Sequence, residues 1–423
     1  MSGFLASMVG ATYAPPGPVT GVSNTWDTFT AANALTGVTQ YTGLNNSGIA
    51  IHGVQNTDKL VMVFGIQNAA RTAHSLYPAV FDLTTKTMAV GSAISVGNVH
   101  PPGNYYIDCP VAGEGNIGMV STTTYVNNVN WRNYARGYTI TNWGSITTTT
   151  LPTLTLSTAR TKATDGSGHY VGYLGNNRFG ISSRDTAAGD TNIMDVLTHN
   201  GSSAPTLFKA GTTAGGARSA GIPKGVRNGI SATNFAAYYF MVGNNNNFQV
   251  PQYFQGNSAN IRGYTHDGNL GSAGGSGFAG NLLTDVSGSV ITINQMFDGT
   301  NARITASKWT NANSPTVDPT VTTTATYQTN LGGAYSNFLS IGTKSTATAY
   351  VPDYINSSST RFSILSVNTT TLAISKTTGQ TAASPWTGDM YWEEFYNATY
   401  GQYIIAWSYS GGNISFYFNK WNP

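Results

Sequence analysis

The chain has 423 residues, 40% of them hydrophobic and only 9% charged, and its net charge is +3, whereas ordinary soluble domains carry about 25% charged residues. So small a charge excludes a nucleic-acid footprint, which needs Lys and Arg clustered on one face, and no apolar run approaches the roughly 20 residues of a membrane span. One cysteine, Cys109, rules out an internal disulfide and a cysteine-cluster metal site, while 49 glycines among abundant Thr, Ser and Asn announce many turns and a largely neutral surface.

In chain order, residues 1–11 are mildly apolar but lack the positively charged start of a secretory signal. Pro15-Pro16-Gly17-Pro18 follows as an extended, helix-hostile stretch. Residues 1–20 therefore read as an arm and linker, with Phe4, Leu5, Met8, Val9 and Tyr13 as its anchoring side chains, and 21–423 as a single domain. An extended apolar arm of this kind adds to a neighbour's sheet or groove.

From residue 49 onward, strand-like alternation dominates, and no window of 11 or more residues carries a helical period. The expected class is all-β. A short apolar run recurs at 61–65, 117–120, 179–182, 238–242, 290–293, 338–341 and 403–407. The turn that follows each copy recurs about every 56 residues, near Thr84, Thr141, His199, His266, Thr310, Asn368 and Asn419. Such a period predicts a β-propeller of four-stranded blades, seven of them, or six if the two irregular spacings conceal one fewer.

The first blade reads as strands 49–54, 59–66, 77–83 and 88–96. The second reads as 104–111, 116–122, 133–141 and 144–155, with a tight turn on Gly113-Glu114-Gly115. The last offers only 390–396, 402–408 and 413–419. A strand from the N-terminal region is expected to close it, and 35–42 has the length and alternation to do so, which removes an open edge.

Loops between second and third strands would share one face with the connections between blades. That face would carry 125–131, 243–254 and 344–354, with Tyr125, Trp131, Tyr253, Phe254, Tyr350 and Tyr354 as exposed rings. Rings stack on the C–H faces of sugars while Asn and Thr meet the hydroxyls, so the face suits glycan; aromatic residues are equally at home in protein interfaces. Arg160, Lys162, Arg218, Lys224 and Arg227 fall in the inter-blade connections. They read as solvated cations, or as a patch for acidic sugars or phosphates.

Few residues offer catalysis. Of three glutamates, Glu393 and Glu394 are adjacent and point to opposite faces of a strand, so they cannot act as a pair on one bond. The repeated Ser-x-Asp-x-Gly-x-Thr-Trp boxes of sialidase-type propellers are missing, and Asp165-Gly166, Asp267-Gly268 and Asp298-Gly299 read as turns. The six histidines, His52, His74, His100, His169, His199 and His266, lack close metal-ligand spacing. No metal is expected, and no phosphate-binding loop or other cofactor motif occurs. His199 and His266 stand in equivalent turns, which points to a structural part. Cys109 reads as a small core residue.

The opening Met1-Ser2-Gly3-Phe4-Leu5-Ala6-Ser7-Met8-Val9-Gly10-Ala11-Thr12-Tyr13 resembles the start of phage virion proteins with β-rich bodies, and the Thr/Asn/Ser/Gly-rich, charge-poor body resembles tail-fibre and head-decoration domains. The resemblance implies a non-enzymatic virion component made in the host cytoplasm and carried outside cells on the particle. Its partners would be other virion proteins in a homo-oligomer or symmetric assembly, with host surface polysaccharide on the loop-rich face. Two alternatives stand beside it. One is a polysaccharide-degrading glycosidase of propeller fold using Glu393 or Glu394 with an Asp such as Asp108. The other is a free carbohydrate-binding lectin with a dispensable arm.

Overall fold

Alternating β-branched and aromatic residues, broken by Gly and Asn, give strands throughout. The computed structural model is all-β: it describes thirty-two strands together with residues 48, 91–93, 109–110, 115–116, 143, 151, 157, 176–177, 199–205 and 369–373. The strands form separate antiparallel sheets of four or five strands each.

An early strand, β1 (Asp27–Thr30), belongs to the sheet formed last. The first sheet is β2 (Ile49–Gly53), β3 (Lys59–Gln67), β4 (Ala73–Asp82) and β5 (Thr87–Val90), with β6 (Ile94–Val99) also on β4. The second is β7 (Val111–Glu114), β8 (Ile117–Val126), β9 (Asn130–Asn142) and β10 (Thr153–Leu156), with β11 (Arg160–Ala163) on β9. The third is β12 (His169–Gly175), β13 (Arg178–Asp185), β14 (Thr191–Thr198) and β15 (Thr206–Lys209), with β16 (Thr213–Ala214) on β14.

In the fourth sheet, β17 (Ala217–Ser219) and β18 (Lys224–Gly225) both pair with β19 (Asn234–Gly243), followed by β20 (Gln249–Asn257) and β21 (Ile261–Thr265). The fifth is β22 (Phe278–Val286), β23 (Ser289–Phe297), β24 (Ala302–Thr310) and β25 (Thr320–Thr329). The sixth is β26 (Leu339–Gly342), β27 (Thr346–Ile355), β28 (Ser359–Asn368) and β29 (Ile374–Ala383). The seventh is β30 (Met390–Asn397), β31 (Gly401–Ser410) and β32 (Asn413–Trp421), with β1 on its outer edge.

Side-to-side contacts between sheets run through their leading strands. β2 touches β7, β7 touches β12, β12 touches β18, β19 touches β22, β22 touches β26, β26 touches β30, and β30 touches β2. The apolar core is divided among these seams. Val61, Val63, Leu76, Val111, Val120, Tyr138 and Ile140 fill the one between the first and second sheets. Met119, Ala135, Val171, Phe179 and Leu197 fill the next, and Ile291, Ile304, Leu365 and Val367 join the fifth to the sixth. Because the first sheet buries residues on both faces, its central strand reads as a near-continuous apolar run at 60–64.

Local chemistry sets the breaks. Pro78 lies in the third strand of the first sheet, its carbonyl accepting from the Gly91 N–H at 2.7 Å. The nitrogen of the same residue faces the same edge without a proton to give, and there the outer strand parts into β5 and β6. In the second sheet, the Ser157 N–H and hydroxyl both donate to the Gly137 carbonyl, at 2.9 and 3.0 Å, between β10 and β11. Asn176 and Asn177, at φ 48° and 60°, make the tight hairpin turn from β12 to β13, the left-handed pair that Asn and Gly favour. Asn368 closes the turn after β28, its side-chain oxygen accepting from the N–H groups of Thr370 and Thr371 at 2.9 Å each.

Several expectations shift. The leading strand of the second sheet is Val111–Glu114 rather than 104–111, and its turn sits on Gly115, at φ 58°, and Asn116. Its third strand is longer, Asn130–Asn142. The segment 35–42, expected to close the last sheet, lies outside the described residues. Asp27–Thr30 is the strand that pairs with β32 instead, with Asp27 opposite Phe418 and Thr30 opposite Ser415. The arm, with Phe4, Leu5, Met8, Val9 and Tyr13, also lies outside the described residues.

Candidate functional site

The six aromatic residues expected in loops stand in strands. Tyr125 and Trp131 are paired across the hairpin end of β8 and β9. Tyr253 is opposite Tyr238 and Tyr264, and Phe254 opposite Ala237 and Gly263, on β20. On β27, Tyr350 is opposite Leu339 and Ile364, and Tyr354 opposite Arg361. The expected loops shrink because Tyr, Phe, Val and Thr extend the flanking strands, their preferred state. Of the expected cations, Arg160 and Lys162 lie on β11, Arg218 on β17 and Lys224 on β18, while Arg227 lies outside the described residues.

Glu393 and Glu394 occupy β30, opposite Ile405 and Ile404 of β31. This is the leading strand of the seventh sheet, touching both β26 and β2. Asp108 lies outside the described residues but immediately precedes Cys109-Pro110, which enters β7, another leading strand. Among the described residues, no group of three or more His, Cys, Asp or Glu side chains is placed to hold a metal ion.

The polar cluster with the closest geometry joins the first three sheets at the end opposite the β8–β9 hairpin. His52 is 4% exposed and bonded on both ring nitrogens: Nδ1 to the Gly115 carbonyl at 2.9 Å and Nε2 to the Tyr138 hydroxyl at 2.7 Å. A carbonyl only accepts, so Nδ1 carries the proton, and Nε2 accepts from the tyrosine O–H. The two rings meet edge to face, centroids 5.4 Å apart. Behind them, His199 Nε2 donates to the Tyr138 carbonyl at 3.2 Å, the His199 N–H to the Asn177 carbonyl at 2.9 Å, and the Thr139 hydroxyl to the Gly201 carbonyl at 2.6 Å.

Three strand glycines make room for these rings. A Cβ at Gly113 would overlap the His52 ring, one at Gly118 the Tyr138 ring, and one at Gly137 the His199 ring. A glycine inside a strand marks such close approaches, and Gly113, Gly118 and Gly137 were the available sequence signal for a cluster that spacing alone did not disclose. His199 holds the structural place expected of it. Burial lowers His52 to about 4, against the opposing pull of the Gly115 bond. Burial also lowers His199, and it pushes Tyr138 well up, helped by the nearby Cys109. A neutral imidazole whose lone pair is already engaged is no free base, so this cluster joins sheets and leaves chemistry to other residues.

Exchanging Tyr138 for Phe keeps the ring contact but strands the His52 lone pair, and should cost about 1–3 kcal/mol of stability. Chemical denaturation of the full chain checks it; an unchanged midpoint and slope would show that the bond contributes nothing. Trp309 Nε1 donates to the Thr292 hydroxyl at 3.0 Å, and the Arg178 guanidinium lies 4.1 Å from the centre of the Phe208 ring.

No family model matches the chain, and no curated protein matches it. Solved structures do. The chain is similar to polysaccharide lyase Uly1 at 9% identity, with 89% of this chain and 90% of that one covered and a TM-score of 0.46. It is similar to a K499G mutant of the NanB sialidase from Streptococcus pneumoniae at 8% identity, covering 92% and 71%, TM-score 0.41. It is also similar to the S. cerevisiae core factor at 8% identity, covering 88% and 57%, TM-score 0.44. Likeness of this order concerns the course of the chain alone, and one fold serves many functions. The expectation of a non-enzymatic chain is withdrawn: the structures matched include a polysaccharide lyase and a sialidase, and the likeness by itself assigns no activity to this chain.

Proposed function

We propose that the sheets are seven blades of a β-propeller, closed by Asp27–Thr30 on the last blade, and that the chain cleaves a polysaccharide by hydrolysis. The observation that carries this reading is the position of Glu393 and Glu394 on β30, the leading strand through which the ring of contacts returns from β26 to β2. The leading strands of a propeller border its central channel, where a substrate meets several blades at once.

Hydrolysis of a glycosidic bond needs a carboxylic acid to protonate the leaving oxygen and a carboxylate to act on the sugar carbon, directly or through water. One of Glu393 and Glu394 supplies the first, and an aspartate such as Asp108, which in sequence precedes the leading strand β7, the second. Water adds across the bond: its hydroxyl ends on the sugar carbon, its proton restores the acid. Tyr125 and Trp131, register partners at the hairpin end of the second sheet, are the residues proposed to stack on sugar faces.

The test is reducing-end release from a panel of neutral and acidic bacterial polysaccharides by the full chain. Cleavage of at least one supports the proposal. Retention of a polysaccharide without cleavage would favour the lectin, and inertness toward all would overturn a glycan function. Placement on a phage particle belongs to the same proposal and rests on the opening residues. Deleting residues 1–20 should abolish incorporation into particles while leaving cleavage intact; incorporation without the arm would refute the anchor.

A further inference from the structure

The bonds of His52 form one chain across three sheets. The Gly115 carbonyl fixes its proton on Nδ1, its Nε2 takes the Tyr138 hydroxyl, and the backbone of Tyr138 holds His199 of the third sheet. The hydroxyl bond joins residues 86 apart in sequence and lies in a buried seam. We propose that this seam is an acid-released clasp: protonation of His52 Nε2 sets an N–H against the Tyr138 hydroxyl proton and frees the first sheet from the second.

The geometry makes the clasp one-sided. With both imidazole nitrogens carrying protons, Tyr138 would have to turn its O–H away to accept, and its proton would then need a new acceptor in an apolar seam formed by Val61, Val63, Val111 and Val120. Among the described residues His52 is hydrogen-bonded to Gly115 and Tyr138 alone, and the charged and titratable groups of the packed elements are these. Lys59 of β3 is bound to Asp82 of β4 at 3.3 Å. Glu114 of β7 is exposed, Cys109 before β7 is buried, and β9 brings Arg132, Tyr134, Arg136 and Tyr138. On the other side of β2, β30 carries Glu393 and Glu394.

His52 is held neutral when folded, at about 4 against an ordinary 6.5. An opened seam binds the proton more tightly than the closed one, so the clasp is at full strength above pH 6.5, weakens as the pH falls toward 4, and weakens no further below that. His199, also lowered by burial, acts in the same direction.

Hydrogen–deuterium exchange of the full chain, corrected for the intrinsic pH dependence of amide exchange, tests this. Between pH 7 and pH 5, exchange in peptides covering 49–53, 111–120 and 134–140 should speed up about twentyfold, while 304–310 and 365–377 stay within about twofold. His52→Gln, whose amide does not titrate, should abolish the acceleration in 49–53 and 111–120 and leave only the smaller share of His199 in 134–140. Uniform acid loosening across all peptides, no loosening at the seam, or persistence of the acceleration at 49–53 and 111–120 in His52→Gln each overturns the clasp. Should that variant fail to fold, the wild-type comparison between the two peptide sets decides alone.

Discussion

Glu393→Gln and Glu394→Gln, made separately, should differ sharply: one loses polysaccharide cleavage by about 10²–10⁴-fold, and the other stays within a few-fold of the parent. The two residues are neighbours on β30, opposite Ile405 and Ile404, and adjacent positions of a strand alternate between its faces. Only one therefore shares a face with the reacting bond, and removing its proton leaves the leaving oxygen without an acid. Asp108→Asn should match the inactive variant, because the acid and its partner act as a unit. The measurement is kcat on the most active polysaccharide of the panel, with thermal unfolding to confirm that each variant folds. Full activity in both glutamine variants would remove the acid from β30 and with it the proposed mechanism.

Gly65→Ala should be among the most damaging single-atom additions to the fold, costing about 3 kcal/mol or more. The N–H of Gly65 donates to the Gly48 carbonyl at 2.8 Å, which holds β3 in place. A methyl there would overlap the Cys109 carbonyl and approach the Cys109 Sγ to 3.0 Å. A carbonyl of the entering backbone cannot rotate aside, so the first and second sheets must part, and the seam of Val63, Leu76, Val111 and Val120 opens with them. Gly115→Ala is the control: a Cβ there meets nothing within 4 Å, but the backbone sits at φ 58°, so the cost is only about 1–2 kcal/mol from left-handed strain. Equal midpoints for the two variants in chemical denaturation would contradict so close a seam at Gly65.

Much of the architecture was written locally. The strands of the first sheet begin where alternation and turn residues place them, at Ile49 and Lys59, and the turns at His199, Thr310 and Asn368 fall at or next to strand ends in the third, fifth and sixth sheets. Period-two patterning and the backbone preferences of Gly, Asn and Pro act over a few residues, so the sequence alone carries them. The all-β class follows from the same short-range physics.

Partner choice across long separations was decided only in three dimensions. Sequence alternation puts the closing strand at 35–42, which lies outside the described residues, while Asp27–Thr30, which it does not single out, pairs with β32, because edge pairing depends on register with a distant strand rather than on composition. The aromatic residues Tyr125, Trp131 and Tyr350 extended strands instead of crowning loops, since cross-strand partners became available to them. His52 and Tyr138 met through the shape of two sheets and the missing side chains of Gly113 and Gly118. A residue's period records which face it occupies, whereas contact between faces is fixed only when the sheets pack and close-packing admits a single fit.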